Sequence, residues 1–277
     1  MQRISYSQAS EYLAATQQWL IEKELEHNLI LGISNAIIAS GESNPNHVFV
    51  NVIENQQVLA SSMKTASRAI IANFSKDDEA IKMLAEYYQE ISMALDGVVG
   101  EQSIAKAFSK YYGKDQIAET GLLVHQLHSL NPIKFAHGEM NVATQDHFNF
   151  VCGWTHKFER DALIDPPKSK EEIARSTQRW IDAGQIFFWV IDEVIVSMAA
   201  IVRTTAHVGI VGLVYTPASL RGNGYATALV HAVSETILKQ GFASCGLFTE
   251  KANPTSNKIY HRIGYVPIAE FSEITFL

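Results

Sequence analysis

The chain predicts an α+β fold made of two similar units, and three observations carry that prediction. Short runs rich in Val, Ile and aromatic residues follow one another across turn residues, as strands in hairpins do. Segments with apolar residues at helical spacing separate them. The order hairpin, third strand, helix then occurs twice along the 277 residues, a length that allows one large or two medium domains.

In the first half, residues 7–40 place Tyr12, Leu13, Leu20, Leu25, Leu29, Ile33 and Ile37 near the helical period and end at Ser40-Gly41, which predicts two helices. Strands at 48–53 and 58–63 flank the turn Glu54-Asn55-Gln56-Gln57, and 69–74 makes a third before a helix opening at Ser75-Lys76-Asp77-Asp78-Glu79. A helix near 104–112 and a half-buried strand near 121–130 complete this half.

The second half opens with a short strand at 138–142. Thr144 caps a helix carrying Phe148, Val151, Cys152, Thr155 and Phe158 on one face, and after the break at Pro166-Pro167 a capping box of Ser169 and Glu172 starts a helix that ends at Gly184. Strands at 185–191, 194–203 and 206–215 lead to a Gly-rich loop. A helix with the stripe Ala226, Leu229, Val230, Val233 and Ile237 stops at Gly241, and a strand at 244–249 precedes a last helix bearing Tyr260.

The repeat is visible in the letters. Val-Ile-Glu at 52–54 matches Val-Ile-Asp at 190–192, offset by 138, and residues 105–113 match 257–265, offset by 152. The extra fourteen residues fall where the second copy has its loop and long helix. A tandem of 1–132 and 133–277 is the result, with the loop in the second copy only. The first copy has the acidic Asp77-Asp78-Glu79 at that helix start, where carboxylates stabilise a helix and repel phosphate, and Phe108 in the place of Tyr260.

A net charge of −7 argues against nucleic acid as the main partner. The N-terminus has no basic region leading into an apolar run, and no apolar stretch is long enough to cross a bilayer, so a soluble cytoplasmic protein without membrane contact is expected. Cys152 and Cys245 show no pairing pattern and read as small buried hydrophobes. The histidines, including His125 and His128 in a predicted strand, lack metal-ligand spacing, and no metal is expected.

The stretch 210–229 reads as a strand, a tight loop through Gly222 and Gly224, and a helix start, a combination that offers backbone N–H groups and a positive dipole end to an anion. Taken together with residues 230–265, it resembles the GNAT superfamily of acetyl-CoA-dependent N-acetyltransferases. The resemblance rests on Leu-Val-Tyr-Thr-Pro at 213–217, Arg-x-x-Gly-x-Ala at 221–226, Asn253-Pro-x-Ser256-Asn257-x-x-Tyr260, and Ile-Gly-Tyr at 263–265.

That resemblance implies two units, each a mixed, mostly antiparallel sheet flanked by helices, the first a degenerate GNAT-like domain and the second the acetyl-CoA-binding catalytic domain. It implies two parallel strands that splay, with acetyl-CoA as co-substrate in the gap. Backbone groups of Leu213, Val214 and Tyr215 would then pair with the pantetheine arm. The N–H groups of Gly222, Asn223, Gly224, Tyr225, Ala226 and Thr227, with Arg221 at the loop entrance, would hold the pyrophosphate, and Asn253, Ser256 and Asn257 would reach the arm. Tyr260 matches the residue that gives a proton to the leaving thiolate.

For a base the residues offer Glu250, with a structural hydrogen bond as its other reading, and the solvated His207. The reaction implied is direct attack by a primary amine, small-molecule or peptide, in a ternary complex, by a monomer or homodimer. Because strand 206–215 holds no carboxylate, a non-catalytic coenzyme A-binding regulatory module is the alternative.

Overall fold

The structure, a computed structural model, describes residues 1–41, 43–75, 77–162 and 167–277; Lys76 and Pro166, named above, lie outside the described residues. In chain order, the first half runs β1 (Gln2–Tyr6), α1 (Ala9–Leu20), α2 (Asn28–Ser40), β2 (Val48–Glu54), β3 (Gln57–Lys64), β4 (Arg68–Asn73), α3 (Asp78–Glu90), β5 (Gly97–Glu101), α4 (Gln102–Tyr112) and β6 (Gln116–Leu127). The second half runs β7 (Glu139–Val142), α5 (Phe148–Asp161), α6 (Lys170–Asp182), β8 (Ile186–Ile191), β9 (Val194–Thr204), β10 (Val208–Tyr215), α7 (Tyr225–Lys239), β11 (Ser244–Glu250), α8 (Pro254–Ile263) and β12 (Val266–Phe276).

Two compact units result. One is built from Met1–Val124, Phe248–Asn253 and Pro267–Leu277, the other from His125–Leu247 and Pro254–Val266. The segments 248–253 and 267–277, which the letter repeat places in the second half, therefore group with the first unit, and 125–132 groups with the second.

The first unit has the strand order β1-β2-β3-β4-β5-β12, with β6 beyond. Neighbours from β1 to β4 are antiparallel, β4 and β5 are parallel through Arg68↔Gly97, Ala69↔Val98 and Ile70↔Val99, and β12 pairs antiparallel with β5. The second unit, β7-β8-β9-β10-β11, repeats these senses: three antiparallel pairings, then a parallel one through Val208↔Ser244, Gly209↔Cys245 and Ile210↔Gly246. Each unit is a mixed, mostly antiparallel sheet, as expected.

The two hairpins show the duplication in detail. Asn55 and Gln56 join β2 to β3 with φ of 48° and 65°; Asp192 and Glu193 join β8 to β9 with φ of 45° and 66°. Both are two-residue turns with left-handed central residues, the twist that suits paired strands. Each hairpin also carries a register shift just before its turn, at Val52/Ile53 and at Trp189/Val190. Turn and shift coincide 137 residues apart (55 to 192, 56 to 193), one fewer than the letter match. Backbone geometry decides the equivalence, because a slip of one residue would turn every side chain to the other face.

Alternation along the strands sends side chains to two helical layers. In the second unit Phe187, Trp189 and Val211 meet Leu229, Val233 and Ile237 of α7, while Phe188, Met198, Leu213 and Tyr215 meet Trp154 and Trp180 of α5 and α6. Trp180, Phe187, Phe188 and Trp189 are thus core residues. The capping box before α6 forms as predicted, the Glu172 carboxylate accepting from Ser169 N–H at 2.8 Å and the Ser169 hydroxyl from Glu172 N–H at 3.1 Å.

The first unit contains a buried imidazole with a stability consequence. His27 lies with Nδ1 3.0 Å from the Leu20 carbonyl oxygen and its ring edge-on to Phe74, and burial pushes its pKa down to about 4. A His held neutral in the fold and free to charge when unfolded stabilises fully above its ordinary pKa of about 6.5, and that stabilisation drains away as the pH falls toward 4. His27→Phe should remove about 3 kcal/mol of the difference between unfolding free energies measured in urea at pH 7 and pH 4. An unchanged difference would refute the assignment.

Candidate functional site

The site is built on the end of β10. Its parallel ladder with β11 holds three pairs and ends at Ile210↔Gly246, whereas β10 runs on to Tyr215 against β9. The edge facing β11 is therefore left without ladder partners beyond Ile210. On this stretch Leu213 has φ of 52°, and the register with β9 shifts between Gly212 and Tyr215. A leucine in the left-handed region is strained and marks a β-bulge, which re-aims backbone N–H and C=O groups out of the ladder direction. The matching strand β4 pairs with β3 without a shift and has no left-handed residue.

Side chains fix this strand end. Leu213 and Tyr215 are buried among α5 and α6, and the ring of Tyr215 meets Trp154 edge-on at 5.4 Å. Ser197 on β9 donates to the Tyr215 carbonyl oxygen at 3.2 Å, and its Oγ lies 2.9 Å from Thr216 Oγ1. Val214 turns the opposite way, toward the α7 layer. All three sequence-predicted residues thus bring their backbone, not their side chains, to the open edge.

The loop follows at once. A 3-10 turn, Ala218–Leu220, leads to Arg221, then Gly222 at φ 85° and Gly224 at φ 81°, which is the N-cap of α7. Among the described residues nothing lies within 4 Å of a notional Cβ on Gly222, and only Ala136 Cβ, at 3.9 Å, lies near one on Gly224. The demand for glycine is thus one of backbone conformation and not of space. Asn223 Nδ2 donates to the Leu220 carbonyl oxygen at 3.0 Å and braces the turn.

Among the described residues no side chain caps α7. The first intrahelical bond runs from Ala228 N–H to the Gly224 carbonyl oxygen at 3.0 Å, so the N–H groups of Tyr225, Ala226 and Thr227 have no acceptor within the helix. They stand at the positive end of a 15-residue dipole. Thr227 is buried and offers only its backbone. The matching helix α3 is closed: Asp77 accepts from Glu79 N–H at 2.9 Å, with Asp78 and Glu79 in its first turn.

Arg221 is already engaged. Its Nε donates to the Thr216 carbonyl oxygen at 2.9 Å and its guanidinium pairs with Asp161 at 3.1 Å. Burial, then the Asp161 charge, raise the pKa of Tyr215 beside them. The arginine thereby ties the loop entrance to the end of α5.

Below the loop, α8 presents Tyr260. It is 8% exposed, has no hydrogen-bond partner for its hydroxyl among the described residues, and burial pushes its pKa up to about 12. Tyr265 packs edge-on to it at 6.0 Å and hydrogen-bonds Ser234 at 2.7 Å; behind them the buried Cys245 donates to the Ser234 carbonyl oxygen at 3.4 Å, its thiol pushed up to about 12 by burial. Cys245 is structural, as its sequence pattern suggested. Aligned on the helix-ending glycines, Gly113 and Gly264, Tyr260 falls on Ser109; aligned on letters, it falls on Phe108. Neither carries a phenol.

One neighbour of Tyr260 escaped the sequence reading. His125, at the end of β6, is 3% exposed, lies with its ring 6.2 Å from that of Tyr260, and hydrogen-bonds the side chain of Asn257. Ser256 and Asn257 are half-buried on the first turn of α8. Glu250 and Asn253 belong to the segment 248–253 of the first unit; both are exposed, and Asn253 N–H donates to the Glu250 carbonyl oxygen at 3.0 Å. His207 sits at the opposite end of β10 from the bulge, exposed, its carbonyl accepting from Ala243 N–H at 2.9 Å. Among the described residues no helix is long and apolar enough to cross a membrane.

Residues 155–265 match the family described as acetyltransferase (GNAT) family. Solved structures similar to the chain include an acetyltransferase from the GNAT family from Colwellia psychrerythraea (12% identity, TM-score 0.62, 100% of each chain covered). A GCN5-related N-acetyltransferase from Sphaerobacter thermophilus is similar at 14% identity and TM-score 0.65, over 99% of this chain and 95% of that one. A tandem GNAT protein from the clavulanic acid biosynthesis pathway is similar at 10% identity and TM-score 0.57, over 99% and 97%. No curated protein matches the chain by sequence. At these identities the structural likeness speaks for the fold alone, and the family match for residues 155–265. The bulged strand, the Gly-rich loop, α7 and Tyr260 all lie within the residues that match the GNAT acetyltransferase family.

Proposed function

We propose that the chain is a tandem in which 133–277 works as an acetyl-CoA-dependent N-acetyltransferase on a primary amine and 1–132 is a copy without chemistry of its own. The observation that carries this reading is the run of bulge, glycine loop and uncapped α7 in one unit, set against the regular β4 and self-capped α3 in the other. The site fits acetyl-CoA. The N–H groups from Gly222 to Thr227 suit a pyrophosphate, which needs donors at a positive helix end and tolerates no carboxylate there. The open edge of β10 at Leu213 to Tyr215 suits an arm of amides that pairs like an added strand, with Ser256, Asn257 and Asn253 as side-chain contacts to it. Arg221 acts here through the shape of the loop entrance.

Bound acetyl-CoA would supply an acyl group activated as a thioester. A backbone N–H on the bulge would stabilise the oxygen that gains charge during acyl transfer. The Tyr260 phenol, neutral at physiological pH, is the proton source for the departing sulfur. Glu250 is the carboxylate to test as base for the amine. The acceptor, a small molecule or a peptide, would be selected by the helices and loops around 143–184.

Calorimetry with acetyl-CoA, followed by thiol release in the presence of a panel of amines, tests the reading. Binding with amine-dependent release supports it. Absence of binding at millimolar ligand defeats it, and binding without turnover across the panel favours a coenzyme A-binding regulatory module.

A further inference from the structure

The segment 131–138, which carries neither helix nor strand, belongs wholly to the second unit. It is held along its length. Asn131 N–H donates to the Ile263 carbonyl oxygen at 2.8 Å, and His231 of α7 donates from Nε2 to the Asn131 carbonyl oxygen at 3.1 Å. Trp189 of β8 donates to the His137 carbonyl oxygen at 2.9 Å. Gly138 then closes the segment against β8: at φ 121° it has no room for a side chain, since a Cβ would come 2.5 Å from the Val190 carbonyl oxygen. The strap is a fixed wall of the unit.

That wall meets the Gly-rich loop. Ala136 Cβ stands 3.9 Å from the place of a Cβ on Gly224, the N-cap of α7. Phe135 and Lys134 follow one and two residues away, within about 8 Å of backbone at 3.8 Å per step. The ring of Phe135 meets His231 edge-on at 4.9 Å and lies nearly parallel to Trp189 at 6.3 Å, yet the residue is 48% exposed. Lys134 is exposed as well. An exposed apolar ring means little by itself. A fixed aromatic ring with a lysine beside it, next to a cradle for phosphate, combines what a nucleotide requires: a π face for the base and an ammonium for an anion. Arg221, at the loop entrance, already has its charge matched by Asp161 at 3.1 Å.

We propose that the strap 131–138 is the subsite for the nucleotide end of acetyl-CoA, with the adenine on the exposed part of the Phe135 ring and the ribose phosphate paired to Lys134. This rests on the reading of the site as one for acetyl-CoA. With the pyrophosphate at the N–H groups of 222–227 and the arm along β10, the adenosine and its 3′-phosphate are the parts of the co-substrate left to be held. The segment that leads from one copy into the next thereby gains an occupant.

Calorimetry with three ligands tests the proposal: acetyl-CoA, its 3′-dephospho form, and acetyl-phosphopantetheine, which keeps a phosphate for the cradle and lacks the nucleotide. Phe135→Ala should weaken acetyl-CoA binding about tenfold, the loss of one base stacked on an aromatic ring, and Phe135→Tyr, which keeps the ring, should retain it. Lys134→Gln should weaken acetyl-CoA binding about fivefold, as for one exposed charge pair, and leave the dephospho form unaffected. Acetyl-phosphopantetheine should bind every variant as it binds the wild type, which a distorted loop would not allow. Equal losses for all three ligands, or acetyl-CoA binding indifferent to both positions, would overturn the subsite alone. A wild-type protein that binds none of the three would overturn the functional reading and the subsite with it.

Discussion

Gly224→Val is expected to weaken acetyl-CoA binding at least about a hundredfold while the chain stays folded. Valine at φ 81° is disfavoured by about 1–2 kcal/mol, because its branched Cβ crowds the adjacent carbonyl. Relaxing that strain swings the first-turn N–H groups of α7 off their common target. Each charge-assisted hydrogen bond to a phosphate contributes about 1.5–3 kcal/mol, so losing two reaches the stated factor. Stability suffers less, since the loop is exposed and among the described residues nothing but Ala136 lies near the new side chain. Asp78→Ala, at the matching helix of the first unit, should leave binding unchanged. Calorimetry and thermal melts on both variants separate the two effects; near-normal affinity of the Gly224 variant would remove the loop from the ligand site.

Tyr260→Phe is expected to lower kcat by about a hundredfold or more with acetyl-CoA affinity within about twofold of wild type, the pattern of a lost general acid. The ring remains against Tyr265 and His125, and the lost hydroxyl has no partner among the described residues, so the fold loses little. The pH profile carries the sign. A phenol with its pKa pushed up to about 12 is protonated throughout the neutral range, and an acid works only while it holds its proton. Wild-type kcat should therefore show no fall from this group until the pH approaches 12. In linkage terms, burial favours the neutral phenol, so its contribution to stability is complete below its ordinary pKa of about 10 and is lost as the pH climbs toward 12. A variant with wild-type kcat would hand the proton transfer to water.

The parts of the site legible in the sequence were those whose physics is local. Gly222 and Gly224 announce left-handed backbone, Ser169 and Glu172 announce a helix start, and Tyr260 sits at a fixed distance from Asn253 and Ser256 along one short segment. The bulge at Leu213 is not local in this sense: its left-handed backbone coincides with a register shift against a separate strand, β9. His125 is a further case, for its partners lie 132 and 135 positions on, at Asn257 and Tyr260, and alternation in β6 marks it only as half-buried.

Three strands were missed for separate reasons. Both β1 and β5 are five residues long, and β5 begins at a glycine and carries another. In β12 the exposed half, with Val266 and Ile268 facing solvent, breaks the alternation that Phe271, Ile274 and Phe276 later establish, and Pro267 argues against a strand. The one-residue difference between letter match and backbone match has the same root. Letters record ancestry position by position, while turns and register record which side chains must face the core.

The placement of β12 has a consequence for how the molecule holds together. β5, the parallel partner of β4, has as its other neighbour the last strand of the chain, not the strand that follows it in sequence. The polypeptide changes units at 124/125, 247/248, 253/254 and 266/267, so neither unit is one uninterrupted stretch. A ribosome has to deliver the final eleven residues, 267–277, before the first unit's sheet is complete. A cut near residue 132 would strip both units of strand segments at once.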